Sequence, residues 1–329
     1  MSVGERPPRV WLLNLDAEHE LEAPRGYQPT KELAAIVARQ APRLVGTLVR
    51  PGDLVLPERT LSDDERAHLA GLEGVAWCPT PRARARLAAA GLVVAPAPAL
   101  EVLRTVNARP FAAAVRAPLA GASFVKDVAH TLDELLALVA RPATLGWLVR
   151  RTFGAAGRGR RRLRAGAPDA GERAWLVASL RLGPLVVEPW VEVTREYTRS
   201  AFVAHDGRIS ISAPCFQETT ASGAWMRTER AELALVRDGE DARLEEAVAA
   251  AGAALHAAGY AGPFGIDAYR HRSEHGEVLN PLSEINARFT MDWNVAMSED
   301  GRTRGLEAPL TRALRGVMPG VVPGGVPEE

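Results

Sequence analysis

The feature that most constrains this chain is a strict alternation of polar and apolar residues over positions 284–289, near the carboxyl end. Alternate side chains of a β-strand lie on the same face of a sheet, so this segment predicts a strand with two unlike faces. Glu284, Asn286 and Arg288 share one face, and the residues between them are apolar. The apolar face is expected to enter a core, which leaves an acid, an amide and an arginine together on the other face.

A second segment of the same kind, residues 264–269, precedes it and carries Asp267. The polar turn at 273–276 lies midway between them, so an antiparallel hairpin would place Asp267 nearly opposite Glu284. Two carboxylates and the amide oxygen of Asn286 would then converge on one point. Hard oxygen ligands of this type suit Mg²⁺ or Mn²⁺, so we predict a metal site formed by these three residues.

The alternative interpretation of the hairpin is an amphipathic strand pair with a solvated polar face. An acid, an amide and an arginine are not the mixed solubilising residues that such a face usually carries, and Arg288 is suited to hold an anion beside a metal. The neighbouring residues are also mostly apolar and indicate a cleft: Pro263, Phe264, Ile266, Pro281, Phe289 and Trp293.

Composition sets the broad class of protein. The 329 residues suggest about two domains, and the net charge of zero gives no global reason to expect nucleic acid or a membrane as partner. No apolar run is long enough for a signal peptide or a membrane span. The two cysteines, Cys78 and Cys215, lie far apart and are expected to be reduced thiols. These features predict a cytoplasmic protein.

The organisation of the chain changes along its length. Residues 1–104 alternate short apolar strands with helices, which predicts an α/β domain with a small parallel sheet, and no glycine-rich dinucleotide motif follows the first strand. Strands and helices segregate over residues 105–319, which predicts an α+β domain. The last residues, 320–329, are rich in Gly, Pro and Val and are expected to form a flexible tail.

A strand predicted over residues 145–153 runs into a glycine-rich loop that contains Gly154, Gly157 and Gly159. Backbone N–H groups in such a loop can approach a phosphate closely, although a plain flexible turn has the same composition. The arginines at 158–164 could alternatively bind nucleic acid, but no aromatic platform is interleaved with them.

On these residues the chain resembles the ATP-grasp superfamily, which includes biotin carboxylase and D-alanine–D-alanine ligase. The metal site of that family is an acid on one strand and Glu-x-Asn on the next, which fall here on Asp267, Glu284 and Asn286. In the carboxylase branch the motif extends to Glu-x-Asn-x-Arg, which this chain matches through Arg288. The resemblance covers about residues 100–300. It implies a two-lobed ATP-grasp domain with a small lobe at about 115–187 and a large lobe at about 188–319.

The resemblance also implies the groups that hold the phosphates. In the family a phosphate-binding lysine lies near the end of the strand before the glycine-rich loop, and its place falls on Arg150. A second basic residue, on a preceding helix, falls on Arg109, with Lys126 as the alternative. Only two lysines, Lys31 and Lys126, occur in the chain, so both family positions carry arginine. Arginine keeps the charge but is bulkier and binds phosphate in a planar, bidentate way.

The nucleotide base is expected at the hinge between the lobes. The family has an acid and backbone groups there, which fall on Glu188, Trp190 and Val191, and a further acid for the ribose, which falls on Glu196. By themselves these acids could be ordinary surface residues. A loop at 219–224, followed by Arg227, lies where the family places substrate and phosphate contacts.

The function implied by the resemblance is ATP- and Mg²⁺-dependent (or Mn²⁺-dependent) ligation. A small-molecule or peptide carboxylate would attack the γ-phosphate of ATP, and an amine or thiol would displace phosphate from the acyl-phosphate. Arg150 and Arg288 would neutralise the developing charge. The alternatives are a phosphotransferase and a nucleotide-binding module without catalysis, the latter motivated by arginine at the lysine positions. A homodimer would accord with the family, and the substrate is left open.

Overall fold

The computed structural model describes residues 7–23, 25–119, 127–154, 157–164, 166–220, 223–232, 236–237, 239–274 and 276–297, and the backbone of 304–306. Lys126 and the predicted tail at 320–329 lie outside these residues.

The first part of the chain forms a parallel four-stranded sheet, as its alternating pattern predicts. The strands are β1 (Arg9–Leu12), β2 (Leu54–Val55), β3 (Glu73–Ala76) and β4 (Val93–Val94), in the order β2-β1-β3-β4. Four helices and a 3₁₀ turn connect them: α1 (Ala17–Glu22), α2 (Lys31–Gln40), the turn Ala41–Leu44, α3 (Asp63–Leu69) and α4 (Pro81–Ala89). Side-chain caps start three of these helices, because Thr30, Ser62 and Thr80 each accept a bond from a first-turn backbone N–H.

Two short helices, α5 (Leu100–Val106) and α6 (Arg109–Arg116), follow the parallel sheet. Pro110 lies in the first turn of α6. Backbone N–H groups in the first turn make no hydrogen bond within the helix, so a proline there costs none. The helices lead into an antiparallel sheet of order β5-β8-β6-β7. Its elements are β5 (Asp127–Ala129), α7 (Leu132–Val139), β6 (Trp147–Arg151), β7 (Arg160–Leu163), α8 (Ala170–Leu180) and β8 (Leu185–Pro189).

A larger antiparallel sheet completes the described fold. Its strands are β9 (Val193–Val203), β10 (Ile209–Ile211), β11 (Cys215–Thr219), β12 (Trp225–Arg230), β13 (Gly262–Ser273), β14 (Gly276–Asn286) and β15 (Arg304–Leu306). The long strand β13 pairs with both β9 and β14. Helix α9 (Glu240–Ala257) packs on the sheet, and a Cβ at Gly252 would come within 2.6 Å of Ile209, so glycine permits this close approach. The short helix α10 (Trp293–Met297) follows β14.

The hairpin of β13 and β14 contains an irregularity that sets its chemistry. Near the turn Ser273 pairs with Gly276 and Tyr269 with Asn280, whereas farther from the turn Asp267 pairs with Glu284. Residues 281–283 therefore lie opposite the single residue Ala268 and form a β-bulge. The bulge contains a proline, which has no backbone N–H to donate to the neighbouring strand. Without this bulge, Asp267 would face an apolar position.

The structure confirms a small parallel sheet followed by antiparallel sheets. The boundaries at 104 and at 187/188 stay predictions. No helix among the described residues is long and apolar enough to cross a membrane.

Candidate functional site

The three predicted metal ligands lie together on one face of the β13–β14 hairpin. Asp267 and Glu284 are directly paired across the two strands. Asn286 is two residues farther along β14, and its Nδ2 donates a 3.0 Å hydrogen bond to Oδ2 of Asp267. The structure thus brings two carboxylates and one amide to one place.

The electrostatics of this group favour a cation. Burial raises the pKa of Asp267 to about 7, and the nearby Glu284 carboxylate acts in the same direction. The hydrogen bond from Asn286 and the charge of Arg288 only partly offset these effects. A divalent ion between the two carboxylates would remove their repulsion.

The donor set fits Mg²⁺ or Mn²⁺, which bind hard oxygens and usually retain water or phosphate ligands. Within the described ranges no cluster of three or more His, Cys, Asp or Glu residues is placed to hold a metal. Two carboxylates and an amide are therefore a partial coordination shell, of the kind that phosphate oxygens would complete.

Two arginines neutralise Glu284. Nη2 of Arg109 lies 3.1 Å from its Oε1, and Nη1 of Arg150 lies 3.7 Å from its Oε2. Arg150 also forms a 2.5 Å ion pair with the buried Glu188. Burial alone would lower the pKa of Arg150, but the Glu188 and Glu284 carboxylates outweigh it and raise that pKa. Arg150 therefore stays fully cationic inside the site.

Arg109, at the start of α6, also anchors the glycine-rich loop. Its Nη1 donates a 2.9 Å hydrogen bond to the carbonyl of Arg151, and its Nη2 donates a 2.6 Å bond to the carbonyl of Gly154. Burial lowers its pKa, and the Glu284 carboxylate opposes that shift. Arg109 thus ties the beginning of the loop to the predicted metal ligand Glu284.

The glycines make this loop narrow. A Cβ at Gly154 would lie 2.6 Å from the carbonyl oxygen of Arg158, a distance that real side chains do not tolerate. Gly159 has φ +69°, in the left-handed region that favours glycine, and its carbonyl accepts a 2.8 Å bond from the amide of Arg151. Gly154 and Arg158 therefore approach each other closely beside Arg109.

Arg288 is held by residues from the first part of the chain. Its Nε donates a 2.9 Å hydrogen bond to Oε1 of Glu18, and its guanidinium carbon lies 4.1 Å from the ring centroid of Trp77. Burial would lower the pKa of Arg288, but the Glu18 carboxylate raises it. Sequence reasoning missed Glu18 and Trp77; the only signal was a group of acids directly after the first strand.

A cavity of about 540 Å³ lies beside these groups. Its wall includes eight of the predicted site residues: Arg109, Arg150, Gly154, Gly157, Asp267, Glu284, Asn286 and Arg288. The remaining predicted residues, Gly159, Glu188, Trp190, Val191 and Glu196, are not part of its wall. The structure thus gathers the predicted metal ligands and most of the predicted phosphate contacts around one space, but places Gly159 and the predicted base and ribose contacts outside its wall.

The residues predicted at the hinge make other contacts. Glu188 is 2% exposed and paired with Arg150. The ring of Trp190 lies 4.7 Å from the guanidinium carbon of Arg162. Glu196 accepts a 3.1 Å hydrogen bond from Thr219, and burial raises its pKa. Their roles toward a nucleotide base and ribose stay predictions.

Positions 221 and 222 of the predicted substrate loop lie outside the described residues, and its described neighbours have different surroundings. Gly223 lines the cavity, and a Cβ on it would lie 2.9 Å from Nη2 of Arg160, which also lines the cavity. Arg227 instead forms an exposed ion pair with Glu218. Sequence reasoning did not select Arg160, because it stood in a run of arginines without a feature that distinguished it.

No protein-family profile matches this chain, and no curated protein matches its sequence. Solved structures do match. Pyruvate carboxylase from Rhizobium etli is 14% identical with a TM-score of 0.52, over 88% of this chain and 27% of that one. The biotin carboxylase domain of 2-oxoglutarate carboxylase from Hydrogenobacter thermophilus is 11% identical with a TM-score of 0.50, over 87% of this chain and 65% of that domain.

A third similar structure is N5-carboxyaminoimidazole synthetase from Staphylococcus aureus in complex with ADP. It is 10% identical with a TM-score of 0.49, over 86% of this chain and 71% of that one. The pyruvate carboxylase and the biotin carboxylase domain are ATP-grasp enzymes. The chain therefore has the ATP-grasp fold, as the hairpin motif and the glycine-rich loop indicate.

Proposed function

We propose that this chain is an ATP- and magnesium-dependent ligase that joins a carboxylate to an amine or a thiol and releases ADP and phosphate. The observation that carries the proposal is the convergence of Asp267, Glu284 and Asn286 with Arg150 around one cavity in an ATP-grasp fold. The similar biotin carboxylase domain is described with MgADP and bicarbonate, which supports a nucleotide, a divalent ion and a small carboxylate as ligands here.

Asp267, Glu284 and Asn286 would hold the metal ion, either Mg²⁺ or Mn²⁺. When bound, the ion would neutralise the β- and γ-phosphates of ATP and fix their geometry. Glu284 is at present shared by Arg109 and Arg150, so those guanidinium groups occupy the same carboxylate that the metal would use. Metal binding would release both arginines from Glu284 toward phosphate oxygens, while Arg150 would keep its ion pair with Glu188 and Arg109 its bonds to the loop carbonyls.

The chain needs no nucleophile of its own for this reaction. A carboxylate oxygen of the substrate attacks the γ-phosphorus, and the bond to the bridging oxygen breaks with its electron pair leaving on ADP. The amine or thiol then attacks the acyl carbon, loses its proton, and expels inorganic phosphate. Arg150 and Arg288 would stabilise the charge that develops in these steps, which is mostly positioning and electrostatic work.

The proposal also covers the organisation of the chain. We assign residues 1–104 to an N-terminal α/β domain and 105–319 to the ATP-grasp domain, with its lobes meeting near residue 188. Glu188, Trp190, Val191 and Glu196 would then contact the adenosine after the lobes close, with Gly154, Gly157 and Gly159 covering the phosphates. A cytoplasmic location and a homodimer are part of the same proposal.

The decisive experiment is the substitution Glu284→Gln. It removes one metal-ligand charge but keeps the shape, so we expect Mg²⁺-dependent ADP release to fall by about a hundredfold or more. Its thermal unfolding curve should stay close to that of the unmodified chain. Glu274→Gln, an exposed change at the turn of the same hairpin, is the matched control and should leave ADP release unchanged. Turnover in Glu284→Gln equal to that of the unmodified chain would remove the proposal.

The two alternatives differ in product. Hydroxylamine converts an acyl-phosphate to a hydroxamate, whereas it leaves a phosphate ester intact, so trapping distinguishes a ligase from a phosphotransferase.

A nucleotide-binding module without catalysis is favoured by one observation: Arg109, at a family lysine position, is bonded to the backbone carbonyls of Arg151 and Gly154. Tight MgATP binding without ADP release across carboxylates and amines would support that module.

A further inference from the structure

One face of helix α2 is apolar and lies on the cavity. Leu33, Ile36 and Val37 occupy positions i, i+3 and i+4, so they share one face of the helix, and all three line the cavity. None of the three belongs to a hydrophobic core cluster of the described residues. Leu33 and Ile36 are partly buried and Val37 is buried, so this apolar face borders the cavity without joining one of those clusters.

The adjoining wall is apolar as well. Trp225, at the start of β12, and Met291, after β14, line the same cavity and are partly buried against the main core. Arg43, in the turn that follows α2, connects the two sides of this region. Its guanidinium carbon lies 5.7 Å from the ring centroid of Trp225, and its Nη2 donates a 3.1 Å hydrogen bond to the carbonyl of Met226.

The cavity is thus amphipathic. The metal and phosphate groups form one part of its wall, and α2 with Trp225 and Met291 forms another. The residues expected at the nucleotide base, Glu188 and Val191, are not in this wall. A nucleotide whose phosphates lie at Arg150 and whose base lies at the hinge would leave the apolar part free for another molecule.

We propose that the carboxylate substrate of this protein carries an extended apolar group, which packs along the Leu33–Ile36–Val37 face of α2 while its carboxylate lies at the metal and arginines. This inference rests on the proposed ligase function and specifies its substrate class. A cavity of about 540 Å³ is in the range that binds small organic ligands, and burial of each methylene group strengthens binding about fourfold.

The test is a binding series on the full chain. Acetate, butyrate and hexanoate are each titrated into the protein by calorimetry, in the presence and in the absence of MgADP. MgADP is also titrated alone. From acetate to hexanoate, four added methylene groups should tighten binding by roughly 200-fold. Ile36→Gln should weaken hexanoate binding at least tenfold and leave acetate and MgADP unchanged. Arg39→Gln, which introduces the same residue on the exposed face of α2, should leave the whole series unchanged.

Each contrary outcome has its own meaning. MgADP binding without chain-length dependence overturns the apolar substrate and leaves the ligase proposal standing. Chain-length dependence without MgADP binding supports the apolar site and removes the ligase. A series that neither Ile36→Gln nor a second variant, Leu33→Gln, alters shows that hexanoate binds elsewhere and overturns the inference. The inference is also overturned if Ile36→Gln weakens binding of MgADP, because this wall would then contact the nucleotide base.

Discussion

Arg150 on β6 lies directly opposite Arg160 on β7, and the two strands are joined by the glycine-rich loop. Like charges at directly paired positions of a sheet repel. Arg150 is compensated by Glu188 and Glu284, whereas Arg160 forms no ion pair within the part of the chain that the structure describes. Burial and the charge of Arg150 lower the pKa of Arg160. An anion at this pair would relieve the repulsion.

We therefore predict that Arg160→Gln weakens the binding of polyphosphate. A hydrogen bond to a charged group contributes about 1.5–3 kcal/mol, so the Kd for MgADP and for tripolyphosphate should rise about 10- to 100-fold. Calorimetric titration measures both. Arg161→Gln is the control, because Arg161 lies on the opposite face of β7 and bonds to the carbonyl of Gly171. An equal loss of affinity in both variants would show that polyphosphate binding depends on the total positive charge and not on the position of Arg160.

Gly154→Ala should disturb the loop without unfolding the protein. The new methyl group would press on the carbonyl of Arg158, and forcing such contacts costs about 1–3 kcal/mol. We expect nucleotide affinity to fall about tenfold while the thermal transition shifts by only a few degrees. Gly171→Ala, in α8 outside the loop, is the comparison, because the added carbon would meet only Oδ1 of Asp169 at an ordinary 3.4 Å. Unchanged affinity in Gly154→Ala would show that the loop does not contact nucleotide.

Glu18→Gln should destabilise the protein through Arg288. The pair is buried, and removing the charge of one partner leaves the other charge poorly compensated. We expect a loss of about 1–3 kcal/mol in the free energy of unfolding from urea titration. The double variant Glu18→Gln, Arg288→Gln should lose less than the sum of the two single changes. Additive losses would mean that the two side chains do not interact in solution.

The pH dependence of stability should reveal a second buried network, away from the cavity. Arg270 forms hydrogen bonds to both carboxylate oxygens of Glu240, and Tyr197 donates a 2.7 Å bond to one of them. Burial alone would raise the pKa of Glu240, but these hydrogen bonds outweigh it and lower that pKa. The folded state thus binds the Glu240 proton less readily than the unfolded state.

A lowered pKa gives stability that is complete above the unfolded value, about 4.3, and is lost as the pH falls through the folded value. Glu240→Gln should therefore cost about 1–3 kcal/mol at pH 7, and the difference from the unmodified chain should shrink below about pH 4. Urea unfolding at several pH values measures this. Glu32→Gln, on exposed α2 surface, should show no such trend. A difference that is independent of pH would assign the loss to packing.

The hairpin was the part of the site that the sequence described best. Alternation along β14 is a local property, so Glu284, Asn286 and Arg288 could be placed on one face without knowledge of the fold. The position of the turn brings Asp267 close to Glu284, but their direct pairing needs the two-residue register shift at the bulge. The bulge at 281–283 did not follow, because it depends on how β13 is already held by β9.

Contacts between segments that are distant in the sequence could not be predicted from local sequence patterns. Glu18 and Arg288 are 270 residues apart, and nothing near either residue indicates the other. The ion pair of Arg150 with Glu188 likewise depends on the strand order of the antiparallel sheet β5-β8-β6-β7, where β6 lies next to β8. Glu188 was chosen as a base contact by resemblance, whereas its observed partner is the arginine across the sheet.

The position of Arg288 between Glu18 and Trp77 has a consequence for how this protein could be divided. Both neighbours precede residue 104, so a fragment that begins at residue 105 would retain the hairpin but lose the counter-charge and the ring that cover its last arginine. Residues that precede position 104 thus form part of the wall of the cavity that the hairpin also lines. Replacing residues 1–104 by those of another protein would therefore change the lining of the cavity itself.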